Sequence, residues 1–171
     1  MANIVITGFM GTGKTAVGRI IAEKKGYRLI DIDDEVEKSS GMKISAIFEK
    51  MGESVFRKME TVEMKKAAAA DRSVIVTGGG AITIAENLEL MKKAGRVVCL
   101  TAEPGEICRR LKDDDSRPLL RRPDKLDLIK NLLETRRNSY AHADYTVKTD
   151  GKTPDMIASE IITKVQENGN S

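Results

Sequence analysis

One run near the start of the chain, Gly8-Phe9-Met10-Gly11-Thr12-Gly13-Lys14-Thr15, restricts the available folds more than any other stretch. It is a complete G-x-x-x-x-G-K-[ST] pattern. Ile4-Val5-Ile6 before it reads as a buried strand, and Ala16 to Ala22 after it as a helix. A strand, a glycine-rich turn and a helix N-terminus, in that order, curl successive backbone N–H groups around an anion and add the partial positive charge of the helix end. Gly11, Thr12, Gly13, Lys14, Thr15 and Ala16 would form that cradle. Lys14 has the reach for β- and γ-phosphates, and the Thr15 hydroxyl suits a Mg²⁺ ion that arrives bridging phosphate oxygens. The pattern therefore predicts a nucleoside triphosphate site.

The other totals narrow the setting. A chain of 171 residues fits one domain with a substantial core. No apolar run approaches the roughly eighteen residues that span a bilayer. Met1-Ala2-Asn3 leads straight into the first strand without a basic, then apolar, leader, so a cytoplasmic protein without a membrane partner is expected. Cys99 and Cys108 lack metal-ligand spacing and read as reduced thiols. A net charge of +3 with only 4% aromatics argues against a nucleic-acid partner and fits small anionic ligands better.

Further strands are expected at Arg28 to Asp31, Ser73 to Thr77, Arg96 to Leu100 and Tyr145 to Lys148. Helical spacing covers Ile44 to Phe48, Glu53 to Ala70, Ala85 to Lys93, Pro104 to about Leu111, Leu126 to His142 and Pro154 to Val165. On the helix from Glu53, Val55, Met59, Val62 and the alanines lie along one side, and the methionines generally read as packing. Asp31-Ile32-Asp33-Asp34-Glu35 sits where a strand ends and a helix starts, the place where open α/β sheets bind ligands. The stretch from Lys112 to Lys125 has four aspartates, three arginines and two prolines and predicts a mobile lid loop, with Asp113-Asp114-Asp115 as a solvated turn. Short apolar strands alternating with helices predict an α/β fold with one parallel, doubly wound sheet of five strands.

A phosphate loop alone does not choose among hydrolysis, switching and phosphoryl transfer. The guanine-reading Asn-Lys-x-Asp of GTPase switches is absent, since the last strand runs Val147-Lys148-Thr149-Asp150. No acid ends Val74-Ile75-Val76, as a mechanical ATPase would require, so Asp31 is the candidate metal carboxylate.

Taken together these residues resemble the shikimate kinase family over nearly the whole chain. The phosphate loop is followed by Gly18. Asp31-Ile32-Asp33 is similar to the family's D-x-D, Phe56-Arg57-Lys58-Met59-Glu60 to its F-R-x-x-E, and Gly78-Gly79-Gly80 to its triple glycine. Arg117-Pro118-Leu119-Leu120 resembles its lid motif, and Arg136-Arg137-Asn138-Ser139-Tyr140 its R-x-x-x-Y. The resemblance implies a P-loop NTPase of the nucleoside-monophosphate-kinase-like kind, a single kinase domain over residues 1–171. Its substrate-binding helical segment would be about residues 33–62 and its mobile lid about 112–124.

The same resemblance implies transfer of the γ-phosphoryl group of ATP to the 3-hydroxyl of shikimate, by a monomer using Mg²⁺. Arg57 and Arg136 would bind the shikimate carboxylate, because guanidinium meets a carboxylate bidentately. The Gly79 N–H would add a donor, and Asp33 would orient the hydroxyl, with or without removing its proton. Glu60 would line the pocket or hold Arg57. Arg117 would close onto the transferring phosphate, Lys14 would supply the other cation, Arg110 would lie against adenine, and Thr15 with Asp31 would hold the metal. His142 is assigned no chemistry. A gluconate-kinase-like enzyme and a non-catalytic nucleotide-dependent regulatory module are the alternatives.

Overall fold

Residues 3–112 and 124–167 are described by the computed structural model. Valine and isoleucine dominate the strands, where a β-branched chain packs well on a pleated surface. β1 (Asn3–Gly8) is buried at all six positions, as a central parallel strand covered on both faces must be. It leads through the phosphate loop into α1 (Lys14–Lys25), then β2 (Arg28–Asp31) and α2 (Ile32–Ser40). Two further helices follow, α3 (Ile44–Met51) and α4 (Glu53–Ala68), and then β3 (Ser73–Val76). A short 3₁₀ turn (Ala81–Thr83) precedes α5 (Ala85–Ala94), β4 (Gly95–Thr101), α6 (Pro104–Arg110), α7 (Lys125–Tyr140), β5 (Tyr145–Lys148) and α8 (Pro154–Glu167).

The five strands are all parallel, in the order β2-β3-β1-β4-β5. Val5 pairs with Ile75 on one side and with Val97 on the other. Alternation along the strands sends Ile4, Ile6, Val74, Val76, Val98 and Leu100 to one face, where they pack with Val17, Ile21, Ile157 and Ile161 of α1 and α8. Val5, Ile75, Val97 and Cys99 face the other layer, against Val36, Ile47, Phe56, Met64, Met91, Ile107 and Ile129. Every connection thus returns the chain to the same edge of the sheet. The C-terminal ends of β1, β2 and β3 come together at the opposite edge, with the phosphate loop, Asp31 and the triple glycine.

The expected sheet and its strands agree with this architecture, and β5 spans the residues anticipated for it. Two expectations about packing do not. On α4 the inward stripe is Phe56, Glu60, Met64 and Ala67, whereas Val62 is 49% exposed. Phe56 and Met64 are the larger anchors, and the helix is rotated so that a carboxylate, Glu60, also faces inward. Met51 and Met156 are exposed, so methionine at helical spacing is not core throughout. Residues 113–123, holding Asp113 to Asp115, Arg117, Arg121 and Arg122, lie outside the described residues. Among the described residues no helix is long and apolar enough to cross a membrane.

Candidate active site

Gly13 forms the N-cap of α1 with φ 87°, ψ 19°, a left-handed conformation that side chains on L-residues resist, and no acidic residue occupies the first helical turn. A methyl group there would meet nothing within 4 Å, so the space before the helix end is open to a ligand. The loop is tied to itself from behind. The buried Thr12 hydroxyl donates to the Phe9 carbonyl at 2.7 Å, and Lys14 Nζ donates to the same oxygen at 2.9 Å. One carbonyl therefore fixes the loop and tethers its cation.

Asp31 joins two elements. Its Oδ1 accepts the Asp33 N–H at 3.1 Å and so caps α2, while its Oδ2 accepts the Thr15 hydroxyl at 2.8 Å. Burial pushes the Asp31 carboxyl above its ordinary value, the Thr15 bond opposes that, and the charge of Asp34 adds to it. The D-x-D spacing thus has a local cause: the first aspartate caps the helix whose first turn carries the second. Both line a cleft of about 270 Å³ with Lys14, Thr15, Ala16, Gly78 and Gly79. Asp33, the predicted acceptor residue, and the phosphate loop share one cavity.

Behind the triple glycine, Arg57 Nη1 donates to Glu60 Oε2 at 2.9 Å, and its Nε and Nη2 reach Glu53 Oε1 at 3.3 and 3.1 Å. Glu60 has no exposed side-chain surface. Burial raises its carboxyl above the ordinary value against the pull of Arg57, with the Asp33 charge pushing the same way. Burial also acts against the Arg57 charge, but Glu60 and Glu53 outweigh it and hold the guanidinium protonated. Of the two roles expected of it, Glu60 has contacts that fit a holder of Arg57. A methyl group on Gly78 would come within 2.8 Å of Glu60 Oε1 and 3.1 Å of Asp33 Oδ1, and one on Gly80 would overlap the Arg57 guanidinium. One on Gly79 would crowd the Gly8 carbonyl at 3.0 Å and Met10 N at 3.3 Å. The glycines leave just enough room for the charged groups and the phosphate loop.

Arg136 on α7 lies with its guanidinium carbon 5.6 Å from the centre of the Phe9 ring, inside the phosphate loop. A loop position whose side chain looked unconstrained in the sequence thus seats a predicted anion-binding arginine. Sequence reasoning also left Glu53 and Tyr140 without roles. The Tyr140 hydroxyl donates to the Gly79 carbonyl at 2.7 Å, and only the R-x-x-x-Y spacing hinted at it. Arg110 bonds to Glu106 at 2.7 Å, the Gly11 carbonyl at 3.3 Å, and the Thr149 hydroxyl and carbonyl at 3.0 and 3.2 Å. It ties the phosphate loop to the end of β5. The predicted lid residue Arg117 lies outside the described residues.

A left-handed glycine cap at a helix start, a tethered lysine, a threonine-aspartate pair and a parallel sheet in this order define a P-loop phosphotransferase fold. A model of the shikimate kinase family matches residues 10–166. Shikimate kinases from Thermodesulfovibrio yellowstonii and Caldicellulosiruptor bescii are 44% and 46% identical, over 99% and 95% of this chain and 98% and 95% of their own. Among solved structures, shikimate kinase from Acinetobacter baumannii in complex with shikimate has a TM-score of 0.94 at 38% identity, covering 98% of this chain and 94% of that one. The enzyme from Aquifex aeolicus has a TM-score of 0.86 at 40% identity, covering 98% of both chains. The chain belongs to the shikimate kinase family, and it is an ATP-dependent phosphotransferase.

Proposed function

We propose that the protein transfers the γ-phosphoryl group of ATP to the 3-hydroxyl of shikimate, in one cytoplasmic domain spanning residues 1–171. The observation that carries this reading is that Asp33, Gly78 and Gly79 line one cleft with the phosphate loop, while the Arg57–Glu60 pair packs against the same triple glycine. The hydroxyl oxygen bonds to the γ-phosphorus as the bond to the β,γ-bridging oxygen breaks, and ADP leaves. Arg57 and Arg136 hold the carboxylate at one end of the acceptor, the Gly79 N–H adds a donor, and Asp33 receives the hydroxyl hydrogen bond at the other end. Lys14 offsets charge on the phosphates, with Gly11 to Ala16 as cradle and Arg110 beside adenine. Arg117, on the lid of about residues 112–124, closes over the transferring group. The acceptor segment is about residues 33–62.

Thr15 and Asp31 suit Mg²⁺. Both present hard oxygens beside the cradle, and the Thr15 proton is already committed to Asp31, which leaves the hydroxyl lone pairs for a cation. When bound, the ion neutralises phosphate charge.

Coupled ADP release with MgATP tests the reading, with shikimate and gluconate as competing acceptors on wild type and Asp33→Asn. Turnover that needs shikimate and falls at least a hundredfold in the variant is expected, the order seen for loss of a preorganised polar group. Turnover with gluconate alone, or ADP release without any acceptor, would overturn it.

A further inference from the structure

Three consecutive glycines are the least constrained backbone a chain can offer, yet the acceptor pocket needs the N–H groups of this turn to point one way. A trans peptide is planar, so whatever holds a carbonyl also aims the next residue's N–H in the opposite direction. The Gly78 carbonyl accepts the Ala81 N–H at 3.1 Å, which sets the direction of the Gly79 N–H. The Gly80 carbonyl accepts the Thr83 N–H at 3.1 Å and the Thr83 hydroxyl at 2.7 Å. Both of those pins are local to the 3₁₀ turn. Between them, the Gly79 carbonyl accepts from the Tyr140 hydroxyl at 2.7 Å, across 61 positions of sequence.

Tyr140 is the last residue of α7, one helical turn after Arg136, and it is only 8% exposed. The positive charge of Arg136 lies close enough to the phenol to oppose the effect of its burial. The Tyr140 hydroxyl therefore ties the Gly79 carbonyl to the end of the helix that carries Arg136. On its other side the turn is packed against Arg57, with no room for a side chain at Gly80.

We propose that Tyr140 is a positioning residue for the acceptor site: it pins the triple-glycine turn, through the Gly79–Gly80 peptide, to the end of the helix that carries Arg136, so that donors from separate elements meet the acceptor carboxylate together. This rests on the reading of Arg136 and Gly79 as acceptor contacts. Tyr140 itself touches neither substrate. Its loss acts on acceptor binding and leaves the nucleotide side alone, because among the described residues no hydrogen bond of Tyr140 reaches the phosphate-binding groups.

Steady-state kinetics of Tyr140→Phe, which keeps the ring, test this beside Arg136→Lys. Tyr140→Phe is expected to raise the KM for shikimate about tenfold, with kcat and the KM for ATP within about twofold of wild type. An unchanged shikimate KM in Tyr140→Phe overturns the inference if Arg136→Lys does raise it. If Arg136→Lys leaves it unchanged too, the acceptor-site reading beneath the inference is what fails. Equal rises in both KM values would make Tyr140 a general structural residue and also overturn it. A second readout does not need a variant that folds: the wild type carries three tyrosines, and after 3-fluorotyrosine labelling the ¹⁹F resonance of Tyr140 should move on adding shikimate and stay put on adding ADP. A resonance indifferent to shikimate overturns the proposal.

Discussion

Gly13 and Gly80 are both glycines at a ligand site, and they are glycines for opposite reasons. Gly13 has a left-handed backbone and empty space around it, whereas Gly80 has φ −97°, which any residue adopts, and no space at all because Arg57 fills it. The phosphate side of the cleft is thus specified by backbone conformation within eight adjoining residues. The acceptor side is specified by room among side chains from α2, α4, α7 and the turn after β3. Chemistry common to many nucleotides calls for the first kind of site, and recognition of one small acceptor calls for the second.

The sharpest way to break that contrast is to remove the cation of the backbone cradle. Lys14→Ala should lower kcat roughly 10²- to 10³-fold, while calorimetric binding of shikimate to the free enzyme stays unchanged. A parallel loss of shikimate binding would show that the two sides are one unit. Next in size, Gly80→Ala should raise the KM for shikimate roughly ten- to a hundredfold by displacing Arg57, with the KM for ATP unaffected. Gly13→Ala should do the reverse and lower stability by about 1–2 kcal/mol in urea titrations, from the left-handed backbone alone.

The smallest effect concerns Cys99, behind both sites. Burial pushes its thiol from an ordinary 9.0 up to about 12, and burial likewise takes Tyr140 from 10.0 to about 12. Both groups keep protons in the fold that the unfolded chain has released. Their stabilising contribution is complete below pH 9 and disappears as pH rises to 12, by about 1.4 kcal/mol per pH unit for each group while only its unfolded form is ionised. Cys99→Ala should therefore flatten the decline in unfolding free energy between pH 9 and 11. A thiol reagent should label Cys108 alone in the native protein and both cysteines in urea.

The same contrast decides what could be read from the sequence. The phosphate loop and the alternating strands are local patterns, so the parallel sheet and Gly8 to Thr15 were legible from spacing alone. Asp33, Arg57, Gly79 and Arg136 are far apart in sequence, and only resemblance to a family brought them together. The inward rotation of α4 was hidden because it depends on what Phe56 and Met64 find across the layer, and Val55, Met59 and Val62 made an equally good stripe. Phe9 under Arg136 was hidden too, since the contact leaves no trace in composition or period, and the R-x-x-x-Y spacing singled out Tyr140 without pointing to Gly79.

β1 carries the nucleotide cradle yet stands in the middle of the sheet, its Val5 paired with Ile75 and Val97. During synthesis it leaves the ribosome well before either neighbour exists, an apolar ribbon with both edges open. Pairings between strands so distant in sequence close slowly. The cradle cannot hold its shape until β4 has emerged and docked, so ATP can stabilise the finished fold but cannot guide the early stages of reaching it. A part of the enzyme that is translated before its partners is among the last to become competent.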